Sequence, residues 1–264
     1  MSSTYVGVDW SSGVWLAVAY SDDRDDPEGF VAEEISEVWT EYGASASRIV
    51  VDVPIGLCEP DESGDGGCVV DEDGQLSREC DDLGRSVIGD RYRSVFTAPC
   101  REAARLAADG IEHAEVSDVN RSVTGKGLTQ QAASICKGIV DVEELLLNME
   151  DSEPFVEGHP EVCFRAFNGE PLSYRKKTAL GVDERLSAFE TVPEYSDGDW
   201  RTVVQQLDGV EFDIGMDDVL DAFALALTAC APDKEYRQLP ENPPTDARGL
   251  PMQMVYRSET PFAE

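Results

Sequence analysis

The stretch Tyr5 to Asp23, YVGVDWSSGVWLAVAYSDD, constrains the fold more than any other. Apolar, β-branched and aromatic residues fill both halves. The small, Gly-bearing step Trp10-Ser11-Ser12-Gly13 divides them, so the stretch reads as two strands joined by a tight turn. Asp9 breaks the pattern. It stands at the end of an apolar strand, where an unpaired carboxylate is costly to desolvate. A metal, a hydrogen-bond cluster or a substrate group must offset that cost.

Two further segments carry an acid in the same awkward position. RIVVDVP at 48–54 is a continuous apolar run ended by Pro54, which reads as a buried strand with Asp52 near its end. Alone, Asp52 reads as a cap for the turn Pro54-Ile55-Gly56-Leu57; beside Asp9 it gains a second meaning. MDDVLDAFALALTACA at 216–231 is apolar on all sides beyond its acids, so it reads as a buried helix. Asp217 and Asp218 fit a cap and a first helical turn. Asp221 lies too deep to cap, and three residues after Asp218 it shares that residue's face. Two carboxylates on one face of a buried helix need a cation or a polar cleft. A first strand that bears an Asp and hairpins into a second opens RNase H-like folds and also actin-like ATPases. The actin-like reading takes Asp9, Ser11, Ser12 and Gly13 as a phosphate turn, and it needs a duplicated half that the sequence does not offer.

Charge limits what such a cleft can bind. The formal charge is −33, with acids spread along the chain and lysine confined to Lys126, Lys137, Lys176, Lys177 and Lys234. Such a surface repels itself and polyanions at ordinary ionic strength. At molar salt the Debye length falls to ~3 Å and the penalty largely vanishes. The composition therefore predicts a cytoplasmic protein of a high-salt, halophile-type cytoplasm. No segment reads as a signal peptide or a membrane span. Seven cysteines without a Cys-x-x-Cys pair predict reduced thiols. Cys58, Cys68 and Cys80 flank an acidic loop at 59–77, but their spacing fits no closed zinc site and the loop fits no EF-hand register.

The remaining elements follow in order. Residues 29–33 predict an edge strand, and Ile35, Val38, Trp39 and Tyr42 predict a helix closed by Gly43. Residues 78–110 are locally basic, with Arg78, Arg85, Arg91, Arg93, Arg101 and Arg105, and 101–109 reads as a helix. This segment suits a phosphate-bearing ligand, with Arg91 and Arg93 as candidate contacts; the alternative is internal pairing with Glu79, Asp81, Asp82, Asp90 and Glu102. Residues 129–149 read as one long helix. The preceding TGKG at 124–127 lacks the leading Gly and strand of a P-loop. Residues 155–157 read as the last sheet strand, followed by a helix through 164–167 and another over 181–189. His159 before Pro160 suits either a catalytic or a structural role. The tail from Pro232 reads as a Pro-rich wrap with an edge strand near 252–256.

Long motifs run in order along most of the chain: YVGVDWSSG at 5–13, VVDVPIGL at 50–57, RECDDLGRSVIGDRYRSVFTAP at 78–99 and GLTQQAASICKGIVDVEELL at 127–146. VEGHPEVCFRAFNGEPL at 156–172, KKTALGVDER at 176–185, DDVLDAFALALTA at 217–229 and GLPMQMVY at 249–256 follow. On these motifs the chain resembles the domain-of-unknown-function 429 family, whose members are predicted to be RNase H-like. The resemblance implies an α/β fold, a mixed five-stranded sheet flanked by helices with helical insertions. It implies one domain over 1–232, including the acidic loop 59–77 and a helical insertion at 78–150, with a Pro-rich extension at 233–264 packed on it. It also implies a metal-dependent phosphodiesterase or nuclease acting on RNA or DNA. Two Mg²⁺ or Mn²⁺ ions ~3.5–4 Å apart would be held by carboxylates. Asp9 maps to the first-strand acid, Asp52 to the fourth-strand acid, and Asp218 with Asp221 to the last-helix pair, much as in Holliday-junction-resolvase-like members. Glu157 or Glu161 would add a ligand. A non-catalytic binding module with the same fold is the alternative; oligomeric state is open.

Overall fold

A computed structural model of the chain describes residues 3–11, 13–60, 64, 66–149 and 154–262. β1 (Thr4–Ser11) and β2 (Val14–Ser21) form the expected hairpin, with Asp9 opposite Leu16 and Gly13 at φ 86° in the turn. That dihedral suits glycine, which has no Cβ to clash. Ser12, and with it part of the actin-like phosphate turn, lies outside the described residues, as do 61–63 and 65 of the acidic loop. β3 (Glu28–Ala32) adds antiparallel to β2 as an edge. α1 (Ile35–Tyr42) then crosses back, and β4 (Ala46–Val51) lies parallel to β1 on its other side.

The segment between β4 and the last main strand contains the short pair β5 (Val69–Val70) and β6 (Leu76–Ser77), then α2 (Glu79–Val87) and a 3-10 turn over Gly89–Ser94. Next come α3 (Arg101–Ala108), α4 (His113–Thr124), α5 (Gln130–Ser134) and α6 (Cys136–Asn148). The expected single helix over 129–149 is therefore two, broken at Ile135 with φ −101° and ψ 0°. Apolar residues continue across the break, which is why the sequence reads as unbroken. β7 (Phe155–Glu157) pairs parallel to β4 and gives a mixed five-stranded sheet in the order β3-β2-β1-β4-β7. Flanked by helices, it is an α/β arrangement consistent with an RNase H-like fold. Among the described residues no second sheet of this kind provides the duplicated half of an actin-like fold.

α7 (Pro160–Asn168), α8 (Ala179–Phe189), α9 (Asp199–Gln206) and α10 (Met216–Ala229) follow. Strand alternation splits the core in two. Val6, Val8, Trp15 and Ala17 face α1, α3 and α6, whereas Leu16, Val18 and Val50 face α7, α8 and α10. α10 is buried on every side from Val219 to Ala229. The C-terminal extension is more than a wrap. β8 (Tyr236–Leu239) and β9 (Met254–Arg257) pair antiparallel, and Val255 bridges Gly158 just beyond β7. Met252, Met254 and Tyr256 are buried.

The basic segment pairs mostly with carboxylates. Arg78 is 1% exposed. Its Nε and terminal nitrogens bond Asp81, both Glu157 oxygens and the carbonyls of Ile55 and Gly56. Arg101 joins Glu59, Glu143 and Asp246, Arg85 joins Asp82, and Arg105 joins Glu143. Removing one member of a buried ion cluster leaves the others uncompensated. Arg78→Met should therefore cost about 3–5 kcal/mol in urea unfolding at fixed salt; a loss below ~1 kcal/mol, typical of an exposed pair, would contradict a fully buried cluster. The expectation of reduced thiols needs correction. Cys58 and Cys68 form a disulfide across the acidic loop, while Cys80, Cys100, Cys136 and Cys163 are free and buried. Sequence spacing could not reveal this, because the pairing depends on how the loop folds back. It also removes two of the three candidate zinc thiols.

Candidate functional site

β1, β4 and α10 bring their acids to one place. Val8 pairs with Val51, and the Asp52 N–H donates to the Val8 carbonyl at 2.9 Å. Asp9 and Asp52 are thus neighbours at the carboxyl ends of adjacent parallel strands, where ligands gather in open α/β sheets. The Asp218 carboxylate accepts the Gly215 N–H at 2.9 Å and caps α10. Asp221 lies one turn further in. All four carboxylates line one cleft of about 1090 Å³, together with Asp217, His159, Glu161 and Lys176.

Burial dominates the electrostatics of this cleft. Burial raises the Asp9 pKa well above its ordinary value, and Asp52, Asp221 and Asp218 raise it further. Burial also raises Asp52, which is within hydrogen-bond reach of Asp9, so these two hold a proton between them more readily than either would in water. Asp221 is pushed up to about 6 by burial, even with Lys176 opposing the shift. The Lys176 ammonium sits 2.7 Å from Asp221 and 3.3 Å from Asp217. Burial disfavours its charge, but Asp221 and Asp9 more than offset this and hold it protonated.

A raised carboxylate pKa means that the folded state binds protons more tightly than the unfolded chain, so stability falls as pH rises through the interval between the two values. For Asp221 that interval runs from 3.8 to about 6. The metal-free protein should therefore melt higher near pH ~5 than near pH ~7.5. Saturating Mn²⁺ should flatten the difference, because ligation holds the carboxylates ionised. Differential scanning calorimetry with and without Mn²⁺ checks this. An identical pH slope in both would mean that the cleft acids do not bind the ion.

The other sequence candidates lie as follows. Glu161 lines the cleft but is held by Arg91 at 2.7 and 2.8 Å and by Arg185. Arg91 also lines it, and its remaining terminal nitrogen donates to the Tyr174 carbonyl at 2.9 Å. Arg93 does not line it; its Nε donates to the Tyr92 hydroxyl at 3.0 Å. His159 Nδ1 accepts the Glu161 N–H and Nε2 donates to the Ser94 carbonyl, so both ring nitrogens are engaged in fixing the start of α7. Glu157 faces away from the cleft, bonded to Arg78 and the Ile55 N–H, with burial pushing it up to about 7. Cys80, Asp81 and Glu157 offer ligand atoms within 4.8 Å of one another and so could hold a metal ion. Arg78 already lies among them with every nitrogen engaged, which fills that role with a fixed charge. Lys176 is the cleft residue that the sequence reading did not single out. The signal was available: two of the five lysines are adjacent here, next to Arg175, in a strongly acidic chain.

A family model described as protein of unknown function (DUF429) matches residues 7–245. No curated protein and no solved structure matches the chain. Among the described residues no helix is long and apolar enough to cross a membrane.

Proposed function

The chain belongs to the DUF429 family, and within it we propose a metal-dependent phosphodiesterase or nuclease that acts on RNA or DNA. One observation carries the reading: Asp9, Asp52 and Asp221, from two strand ends and a buried helix, line one cleft in which Lys176 pairs with Asp221 and Asp217. Oxygen donors of this kind suit Mg²⁺ or Mn²⁺, and their mutual repulsion favours a divalent ion. Asp9, Asp52, Asp218 and Asp221 would hold two such ions. When bound, these supply positive charge to the phosphate and a water of lowered pKa.

The chain's own groups account for the rest. Asp9 and Asp52 must release the proton that burial favours before both can ligate. Asp218 keeps one oxygen on the Gly215 N–H, which fixes its carboxylate at the start of α10. Arg91 is committed to Glu161 and Tyr174, so a substrate phosphate falls instead to Arg175 and Lys177, exposed on the same cleft. Among the described residues Arg175 has no ion pair, and Lys177 stands 3.6 Å from Asp217. The protein works in a high-salt cytoplasm on this reading, because −33 opposes a polyanion unless screened. The test is Mn²⁺-dependent cleavage of labelled RNA and DNA at molar KCl. Cleavage by the wild type that Asp9→Asn abolishes supports the reading. Binding without cleavage favours the non-catalytic module.

A further inference from the structure

The cleft already contains a cation, and its tether limits how that cation can move. Lys176 belongs to a turn tied to the start of α8. The Thr178 N–H donates to the Arg175 carbonyl at 3.0 Å, the Thr178 hydroxyl donates to the same oxygen at 2.8 Å, and that hydroxyl accepts the Gly181 N–H at 3.1 Å. A Cβ on Gly181 would meet the Arg175 carbonyl oxygen at 2.0 Å, so the turn lies flush on the helix. What remains free is the lysine stem, four carbons carrying a compact point charge.

We propose that Lys176 is an exchangeable counter-cation. It holds Asp221 and Asp217 while no divalent ion is bound, yields Asp221 to such an ion, and then turns toward the phosphodiester of the substrate. This rests on the metal-dependent reading above. The ammonium is 2.7 Å from the Asp221 oxygen. A Mg²⁺-sized ion ligated by the same oxygen would sit ~2.1 Å from it, so the two cations would be close enough to repel strongly. No three cleft carboxylates among the described residues bring ligand atoms within 4.8 Å of one another. Of these carboxylates, Asp221 and Asp217 are the two that pair with the ammonium. Arg175 and Lys177 flank Lys176 on the same cleft, so an ammonium leaving Asp221 stays on the wall best suited to a phosphate.

The test is calorimetric titration of Mn²⁺ into wild type, Lys176→Met and Lys234→Met at molar KCl. Lys176→Met should bind Mn²⁺ about tenfold more tightly than wild type, because a competing charge is gone. In Ca²⁺ it should bind a phosphorothioate oligonucleotide about tenfold more weakly. Lys234, outside the cleft with its side chain 79% exposed, should leave Mn²⁺ affinity within about twofold when replaced. Wild-type or weaker Mn²⁺ affinity in Lys176→Met overturns this inference alone, provided the wild type binds. If neither binds Mn²⁺, the metal-dependent reading falls with it. Should Lys176→Met fail to fold, Lys176→Gln, which keeps a donor without the charge, is judged by the same criterion.

Discussion

Gly7→Ala should abolish stable folding. Gly7 lies in β1 directly against α10, and a Cβ there would stand 2.1 Å from the Ala226 nitrogen, 2.3 Å from the Ala222 carbonyl oxygen and 2.7 Å from the Leu225 carbonyl carbon. These are backbone atoms, so no rotamer change relieves the clash; the helix must move as a body. It has nowhere to go, because its residues from Val219 to Ala229 are packed on all sides. Overpacking a core ordinarily costs about 1–3 kcal/mol, and a clash with helix backbone should meet or exceed the top of that range. Against a total stability of about 5–15 kcal/mol, that shifts the urea midpoint far down or leaves no folded baseline. The same contact sets the distance between Asp9 on the strand and Asp221 on the helix, so any folded fraction should also bind Mn²⁺ poorly. A wild-type midpoint in circular dichroism would mean that α10 does not sit this close to β1.

The candidate cleft was legible where a charge interrupts an apolar pattern. Asp9 and Asp52 end buried strands, and Asp221 lies within a buried helix; each stood out because its surroundings are otherwise apolar. The sheet was legible for the same reason, since β1, β2, β4 and β7 are short apolar runs. α2 and α4 were not, because polar residues share their buried faces with only a narrow apolar stripe. α2 turns Asp81 inward to Arg78 and α4 buries Ser117, Asn120 and Thr124, beside narrow stripes at helical spacing, Cys80, Leu83 and Val87 in α2 and Val116, Val119 and Val123 in α4. The arginines of 78–105 left phosphate binding and internal pairing both open for a related reason. Their carboxylate partners Glu157, Glu161, Glu143 and Asp246 lie far along the chain, beyond the reach of a local reading. Lys176 was missed because its partners Asp217 and Asp221 also come from a distant element.

The central claim is that buried carboxylates meet at Asp9 in order to hold divalent metal, and Asp9→Asn tests it most directly. The substitution removes one good ligand and one charge from a crowded set. Without metal, Asp9→Asn should melt at the wild-type temperature or slightly above it, because repulsion with Asp52, Asp221 and Asp218 is relieved. Mn²⁺ at a hundredfold excess over Kd should stabilise the wild type by roughly 2.7 kcal/mol through mass action. Asp9→Asn should lose most of that shift together with any phosphodiester cleavage. The decisive measurement is thermal unfolding of both proteins at molar KCl, with and without Mn²⁺. The account predicts a large metal shift in the wild type and a small one in Asp9→Asn, from equal or higher metal-free stability in the variant. A variant with the wild-type metal shift but much lower metal-free stability would contradict it and make Asp9 a structural hydrogen-bond acceptor.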